Sequence, residues 1–149
     1  MKPMQAFSLV ELLVVMAIVA ILAMLAYPSY TNYLVKARRA EAQMALLTLM
    51  QQQENFYTLH NTYVAFSAES GEGDARRFRW WSGDTPQASA YELSGQACLD
   101  QPLERCIELR AIPGTSRVNP RFRDPGCETL TLDSIGQRAA TGPMARCWP

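Results

Sequence analysis

Glu11 is the residue whose type and position most need a chemical explanation, because it interrupts an apolar run, FSLVELLVVMAIVAILAMLAY, that extends from Phe7 to Tyr27. A run of about 20 apolar residues can cross a bilayer as a helix, and a carboxylate inside such a span costs on the order of 2.5 to 3.5 kcal/mol. A charge in that setting calls for a partner. The cysteines Cys98, Cys106, Cys127 and Cys147 form the second group able to do chemistry. They include no short CxxC pair and the chain has one histidine, His60, so disulfides fit better than zinc. Three pairings are open to four cysteines. The third group is cationic: Arg110, Arg117, Arg121 and Arg123 lie close in sequence, joined by Arg138 and Arg146 near the last cysteine. Arginines gathered on one face would contact phosphates and give strong salt dependence. The plainer reading scatters them over a mixed surface with Glu108, Asp124 and Glu128. No catalytic constellation is visible, since His60 has no serine or cysteine nucleophile in a recognisable setting, and neither a phosphate-cradling glycine loop nor a calcium loop occurs. No enzymatic activity, cofactor or metal is expected.

The elements that must position these groups follow from length and periodicity. With 149 residues there is room for one domain and its anchor. The apolar run is too long for a secretory signal peptide, carries Glu11, and is followed by no break where a cleavage loop should be. Beyond Pro28, which removes a backbone donor and is the expected kink, Tyr30, Tyr33, Leu34, Ala37, Ala40, Met44 and Leu47 recur at helical steps. They predict an apolar stripe laid on a sheet, with Lys36, Arg38, Arg39, Glu41 and Gln43 on the other surface. The helix is predicted to stop near Leu59, before Asn61, making a rod of about 50 residues and roughly 75 Å at 1.5 Å per residue. Residues 60–89 read as a connecting loop. Within it, Arg76-Arg77-Phe78-Arg79-Trp80-Trp81 alternates cations with aromatics, as some single-strand nucleic-acid grooves do. The plainer reading is that the tryptophans cover a sheet edge and the arginines are solvated. Strands are predicted at Tyr91–Ser94, Cys106–Ile112 and Thr129–Asp133, with a short fourth at Gln137–Thr141. Short connections make the sheet antiparallel, one face on the helix.

The residues Ala6-Phe7-Ser8-Leu9-Val10-Glu11-Leu12-Leu13-Val14-Val15, followed by Ala26-Tyr27-Pro28-Ser29-Tyr30, resemble the class III leader and amino-terminal helix of type IV pilins. The carboxyl end, Cys127-Glu-Thr-Leu-Thr-Leu-Asp-Ser-Ile-Gly-Gln-Arg with its final Cys147-Trp148, together with Arg39-Ala-Glu-Ala-Gln and Gln53-Glu-Asn-Phe-Tyr, is similar to the small minor pilins of the PilE and ComP kind. The resemblance is specific at the two ends and loose from 61 to 126. It implies an α+β, pilin-like fold, a long amino-terminal helix packed on a three- to four-stranded antiparallel sheet. It divides the chain into a leader (1–6), a hydrophobic membrane and assembly helix (7–28) and a periplasmic head (29–149), with helix to 59, loop 60–89 and the sheet and disulfide region 90–149. It also implies cleavage between Ala6 and Phe7 by a prepilin peptidase, methylation of Phe7, and a pairing of Glu11 with the amino terminus of a neighbouring subunit. Ala6 stands where the family usually has glycine, and Ala20 where it often has another; alanine favours the helix by about 1 kcal/mol. The topology so implied puts all four cysteines outside the cytoplasm, where disulfides form, and the expected bridges are Cys98–Cys106 and Cys127–Cys147.

Leader removal takes away Lys2 and leaves 13 basic against 14 acidic residues, so overall charge makes no case for nucleic acid. Three roles follow. The first is a structural or priming minor subunit that meets other pilins through its amino-terminal helix, and meets the prepilin peptidase and the inner-membrane assembly machinery. The second is a receptor for double-stranded DNA during uptake, through Arg110, Arg117, Arg121, Arg123, Arg138 and Arg146. The third, a secretion pseudopilin, fits the four cysteines and the Cys-Trp ending less well. The expected location is the inner membrane before assembly and the cell-surface pilus after it.

Overall fold

A computed structural model of the chain describes residues 8–149, with the side chains at 25, 26, 28 and 29 left aside. The chain divides into two compact units, Met1–Lys36 and Ala37–Pro149. Its one long helix, α1, covers Leu9–His60 and continues through position 28.

In the first unit the helix opens after Ser8, whose carbonyl accepts the Leu12 N–H at 3.2 Å. Glu11 lies in the first turn, where a carboxylate complements the positive end of the helix dipole. Leu12, Leu13, Val14, Val15, Met16, Ile18, Val19, Ile21 and Leu22 are all exposed, so apolar surface surrounds the helix instead of forming one stripe. Among the described residues no helix is long and apolar enough to cross a membrane. The run marked by the sequence includes Phe7 and positions 25 and 26, which lie outside that description.

The second unit sets the carboxyl half of α1 on a four-stranded antiparallel meander, with β1 at Tyr91–Ala97, β2 at Ile107–Pro113, β3 at Leu130–Asp133 and β4 at Arg138–Ala140. Alternation does what period two requires. Tyr91, Leu93, Ile107, Leu109, Ala111, Leu130 and Leu132 point into the core, and Glu92, Ser94, Glu108 and Arg110 lie on the other face, half-buried. The helix face that meets them is Ala42, Ala45, Leu46, Leu49 and Phe56. This corrects the stripe expected from sequence: Tyr30, Tyr33, Leu34, Met44 and Leu47 are exposed, and Ala37 and Ala40 are too. The buried face is polar at Arg39, Gln43 and Gln53, and each of these finds a partner in the head. Gln53 donates to Val64 O at 2.8 Å and accepts the Val64 N–H at 2.9 Å, standing in for a strand neighbour. Satisfied in this way, a buried amide is tolerated where an apolar residue would be expected.

Asn61, with φ at 54°, ends α1 in the left-handed region and donates to Tyr57 O at 2.8 Å. The segment that follows is more ordered than a connecting loop. It holds a 3-10 helix at Gly73–Arg77 and pairs twice with β1, at Phe66↔Gly95 and Trp81↔Glu92. Trp80 O accepts the Leu93 N–H at 2.7 Å and Ser82 donates to Tyr91 O at 3.1 Å, so this segment closes the free edge of β1. Gly95 allows the close approach, since a Cβ there would stand 2.6 Å from the Phe66 ring.

Candidate functional site

The carboxyl-terminal region is built around one buried carboxylate. Asp124 takes a bidentate pair from Arg39 of α1, Nε to Oδ2 at 2.7 Å and Nη2 to Oδ1 at 2.6 Å. It also accepts the Tyr91 hydroxyl of β1 at 2.6 Å and the Cys127 N–H at 3.2 Å. Burial alone would raise the Asp124 carboxyl; the bonds from Arg39 and Tyr91 and the Arg39 charge outweigh it and hold the group below its ordinary value. Burial, and then the bond to Asp124, push the Tyr91 phenol well above the ordinary tyrosine value. Both Arg39 and Gln43 are buried, which corrects the expectation from sequence that they lie on the surface away from the apolar stripe. The spacing of Ala42, Ala45, Leu46, Leu49 and Phe56 was the signal that puts them inside.

This anchor fixes the loop that the disulfide closes. The two bridges are Cys98–Cys106 and Cys127–Cys147, with Cα separations of 5.4 and 5.5 Å. The second encloses β3 and β4, and Gln43 of α1 donates to Cys147 O. Trp148 then folds over β4, its Nε1 donating to Ala139 O at 2.8 Å, and the Arg138 guanidinium lies 5.5 Å from the Trp148 ring centroid. Arg146 lines the same groove, about 340 Å³ in volume, whose walls carry no acidic side chain. Two of the six arginines singled out from sequence thus share one aromatic-floored depression.

The other four are placed differently. Arg117 pairs with Glu69, and with Glu92 at 3.3 Å, tying the connecting segment to β1. Arg110 lies 3.9 Å from Glu108, its Nε buried without a hydrogen-bond acceptor. Arg123 Nη1 donates to the Pro120 and Phe122 carbonyls at 2.7 Å and to Gly114 O at 3.4 Å, holding its own turn together. Arg121 is exposed, with no ion pair among the described residues. At the other end of the chain, Glu11 is exposed in the first turn of α1. Ala6 and Phe7, the expected cleavage pair, lie outside the described residues, as does the side chain of Pro28. His60, at the end of α1, is exposed and stacks on Phe56 at 4.1 Å.

Residues 28–131 match the family model described as type IV minor pilin ComP, DNA uptake sequence receptor, and residues 1–27 match the prokaryotic N-terminal methylation motif. No curated protein sequence matches the chain. Among solved structures, a type IV pilin from Shewanella oneidensis is similar at 27% identity, covering 77% of this chain and 98% of that one with a TM-score of 0.48. The Neisseria meningitidis non-core minor pilin PilV is similar at 19% identity, covering 77% and 94%, also with a TM-score of 0.48. With the match running from position 28 through β1 and β2 to the first half of β3, this chain belongs to the ComP family of type IV minor pilins.

Proposed function

We propose that this minor pilin is a DNA receptor for uptake, carried in type IV pili and held before assembly in the inner membrane with its head on the periplasmic side. The amino-terminal methylation motif supports cleavage before Phe7 by a prepilin peptidase. The exposed apolar surface around the helix supports its packing among lipid tails and then among other pilins. The intact mass of protein extracted from membranes tests the processing step. The expected species starts at a methylated Phe7, and a chain that retains Met1 to Ala6 refutes it.

The observation that carries the DNA reading is the convergence of Arg138, Arg146 and Trp148 on one groove without an acidic wall. A duplex presents phosphates that two exposed guanidinium groups can contact while displacing counterions. Arg121, exposed without an ion pair among the described residues, could add a third contact, whereas Arg117 is already neutralised by Glu69 and Glu92. Full-length protein in detergent micelles should bind duplex DNA with an affinity that falls steeply with salt. Replacing Arg138 and Arg146 together by alanine should lower that affinity at least tenfold and reduce the salt slope by about 2. Unchanged binding in the double variant would remove the duplex from this groove.

A further inference from the structure

The segment Arg76–Trp81 holds a second cationic and aromatic surface, which the duplex reading does not use. A groove of about 400 Å³ lies here, within the range of about 300 to 1,000 Å³ typical of ligand sites. Arg76, Arg77, Arg79, Trp80 and Trp81 line it, with Ser70 and Phe78 and no acidic side chain. Its floor is held by hydrogen bonds and core packing, and its rim is more exposed. The floor is fixed because the backbone at Trp80 and Ser82 is hydrogen-bonded to β1, and because Phe78 is buried against Phe66 at 5.4 Å. The rim comes from the 3-10 helix Gly73–Arg77, which buries no residue. There Arg77 makes only an exposed 3.5 Å pair with Asp74, and Arg76 has no ion pair among the described residues.

The two tryptophans do more than cover the edge of β1. Their rings meet edge to face, 5.2 Å between centroids at 78°, so each ring keeps a face turned away from the other. Arg79 lies 5.9 Å from the Trp81 centroid and its guanidinium reaches Ser82 O at 3.5 Å. Trp81 Nε1 is buried without an acceptor, whereas a tryptophan kept for packing alone normally finds one. A half-buried aromatic pair at the floor with guanidinium groups along the rim matches the recognition of unpaired nucleotides. The base stacks on a ring face, and the phosphates on either side meet the cations. A duplex could use the arginines but not the ring faces, because its bases are stacked and closed on both sides.

We infer that the groove formed by Arg76, Arg77, Arg79, Trp80 and Trp81 binds single-stranded nucleic acid, by stacking an unpaired base on the tryptophans and holding its flanking phosphates with the arginines. This site is separate from the groove beside Trp148 and does not depend on it. The test uses full-length protein in detergent micelles with two fluorescein-labelled probes, an oligothymidylate of about 12 nucleotides and a mixed-sequence duplex of about the same length. Oligothymidylate should bind and quench tryptophan fluorescence, with a log–log salt slope near −2 for three phosphates at about 0.7 each. Trp80→Ala should weaken it roughly tenfold while changing duplex affinity less than about twofold. Arg76→Glu with Arg77→Glu, both exposed, should weaken it further and provides the reading if Trp80→Ala fails to fold. Arg138→Ala with Arg146→Ala should leave oligothymidylate binding unchanged, so a failure of the duplex reading is seen on the duplex arm alone. The inference is overturned by absence of oligothymidylate binding, by equal loss of both probes in the Arg76 and Arg77 variant, or by loss of oligothymidylate with Arg138 and Arg146.

Discussion

Asp124 and Glu11 show how the two units of this pilin treat a carboxylate. Asp124 lies where α1, β1 and the carboxyl-terminal loop meet, and both of its oxygens are engaged by Arg39, Tyr91 and the Cys127 N–H. Glu11 lies in a helical turn surrounded by exposed apolar residues and has no partner among the described residues. The head satisfies its buried charge internally and thereby defines one arrangement of helix, sheet and loop. The amino-terminal unit leaves both Glu11 and its apolar side chains exposed among the described residues.

Breaking the Asp124 site should give the largest effect on the head. Asp124→Ala strands the Arg39 guanidinium, which is 8% exposed, and leaves the Tyr91 hydroxyl without its acceptor. Removing one partner of a buried pair costs about 3 to 5 kcal/mol. Thermal denaturation of the full-length protein should show that loss, and Arg39→Met added to Asp124→Ala should recover part of it. An unchanged midpoint for the single variant would mean that the bidentate pair does not anchor the loop.

The next effect tests which face of α1 meets the sheet. Leu46→Ala should cost about 2 to 5 kcal/mol because the side chain is wholly enclosed by the core. Leu47→Ala, at 37% exposure, should cost less than about 1 kcal/mol. Equal losses would restore the stripe read from the sequence.

Smaller, but more diagnostic, is the pH dependence. The Asp124 carboxyl is held below its ordinary value of 3.8, so its contribution is fully present above that pH and is lost as pH falls below it through the folded-state value. The Tyr91 phenol is raised above its ordinary value of 10.0, so its contribution is full below that pH and is lost as pH rises beyond it. Stability should therefore fall at both extremes. Asp124→Asn should flatten the acid limb and Tyr91→Phe the alkaline one, and a limb that keeps its slope in its variant is set by other groups.

These tests also mark what could be read from residues alone. The strands were legible because alternation in Tyr91–Ser94, Cys106–Ile112 and Thr129–Asp133 carries its own signal, and the observed bounds differ by a few residues. The helix was legible in extent but not in orientation. Its most apolar stripe, through Tyr33, Met44 and Leu47, is exposed, while the inward face admits Arg39, Gln43 and Gln53 because partners distant in sequence satisfy them. Periodicity cannot report a partner 85 residues away, such as Asp124 is to Arg39. The arginines were legible as a set, but not that Glu69 and Glu92 take Arg117 or that backbone carbonyls take Arg123. Arg76, Arg77 and Arg79 alternate with aromatics in the sequence, but residue order alone favours tryptophans that cover a sheet edge and arginines that are solvated.

Glu11→Ala should have the smallest effect on the head and thereby isolates the other half of the comparison. Glu11 is an exposed residue in the first turn of α1, so the thermal midpoint of the full-length protein should move by less than the equivalent of about 0.5 kcal/mol. The loss of helix-dipole complementarity in the first turn is also only about 0.3 to 1 kcal/mol, and it is confined to the end of α1. Incorporation is another matter. If Glu11 meets the ammonium of a neighbouring chain within apolar packing, its removal leaves that ammonium uncompensated, a cost of several kcal/mol at each such contact. Immunoblots of sheared pili should then show the variant reduced to a tenth or less, with normal amounts in the membrane fraction. Glu11→Asp keeps the charge but shortens its reach, and should fall between the two. Normal pilus content for Glu11→Ala would mean that the carboxylate serves only the first turn of its own helix, and the contrast with Asp124 would then be one of strength, not of kind.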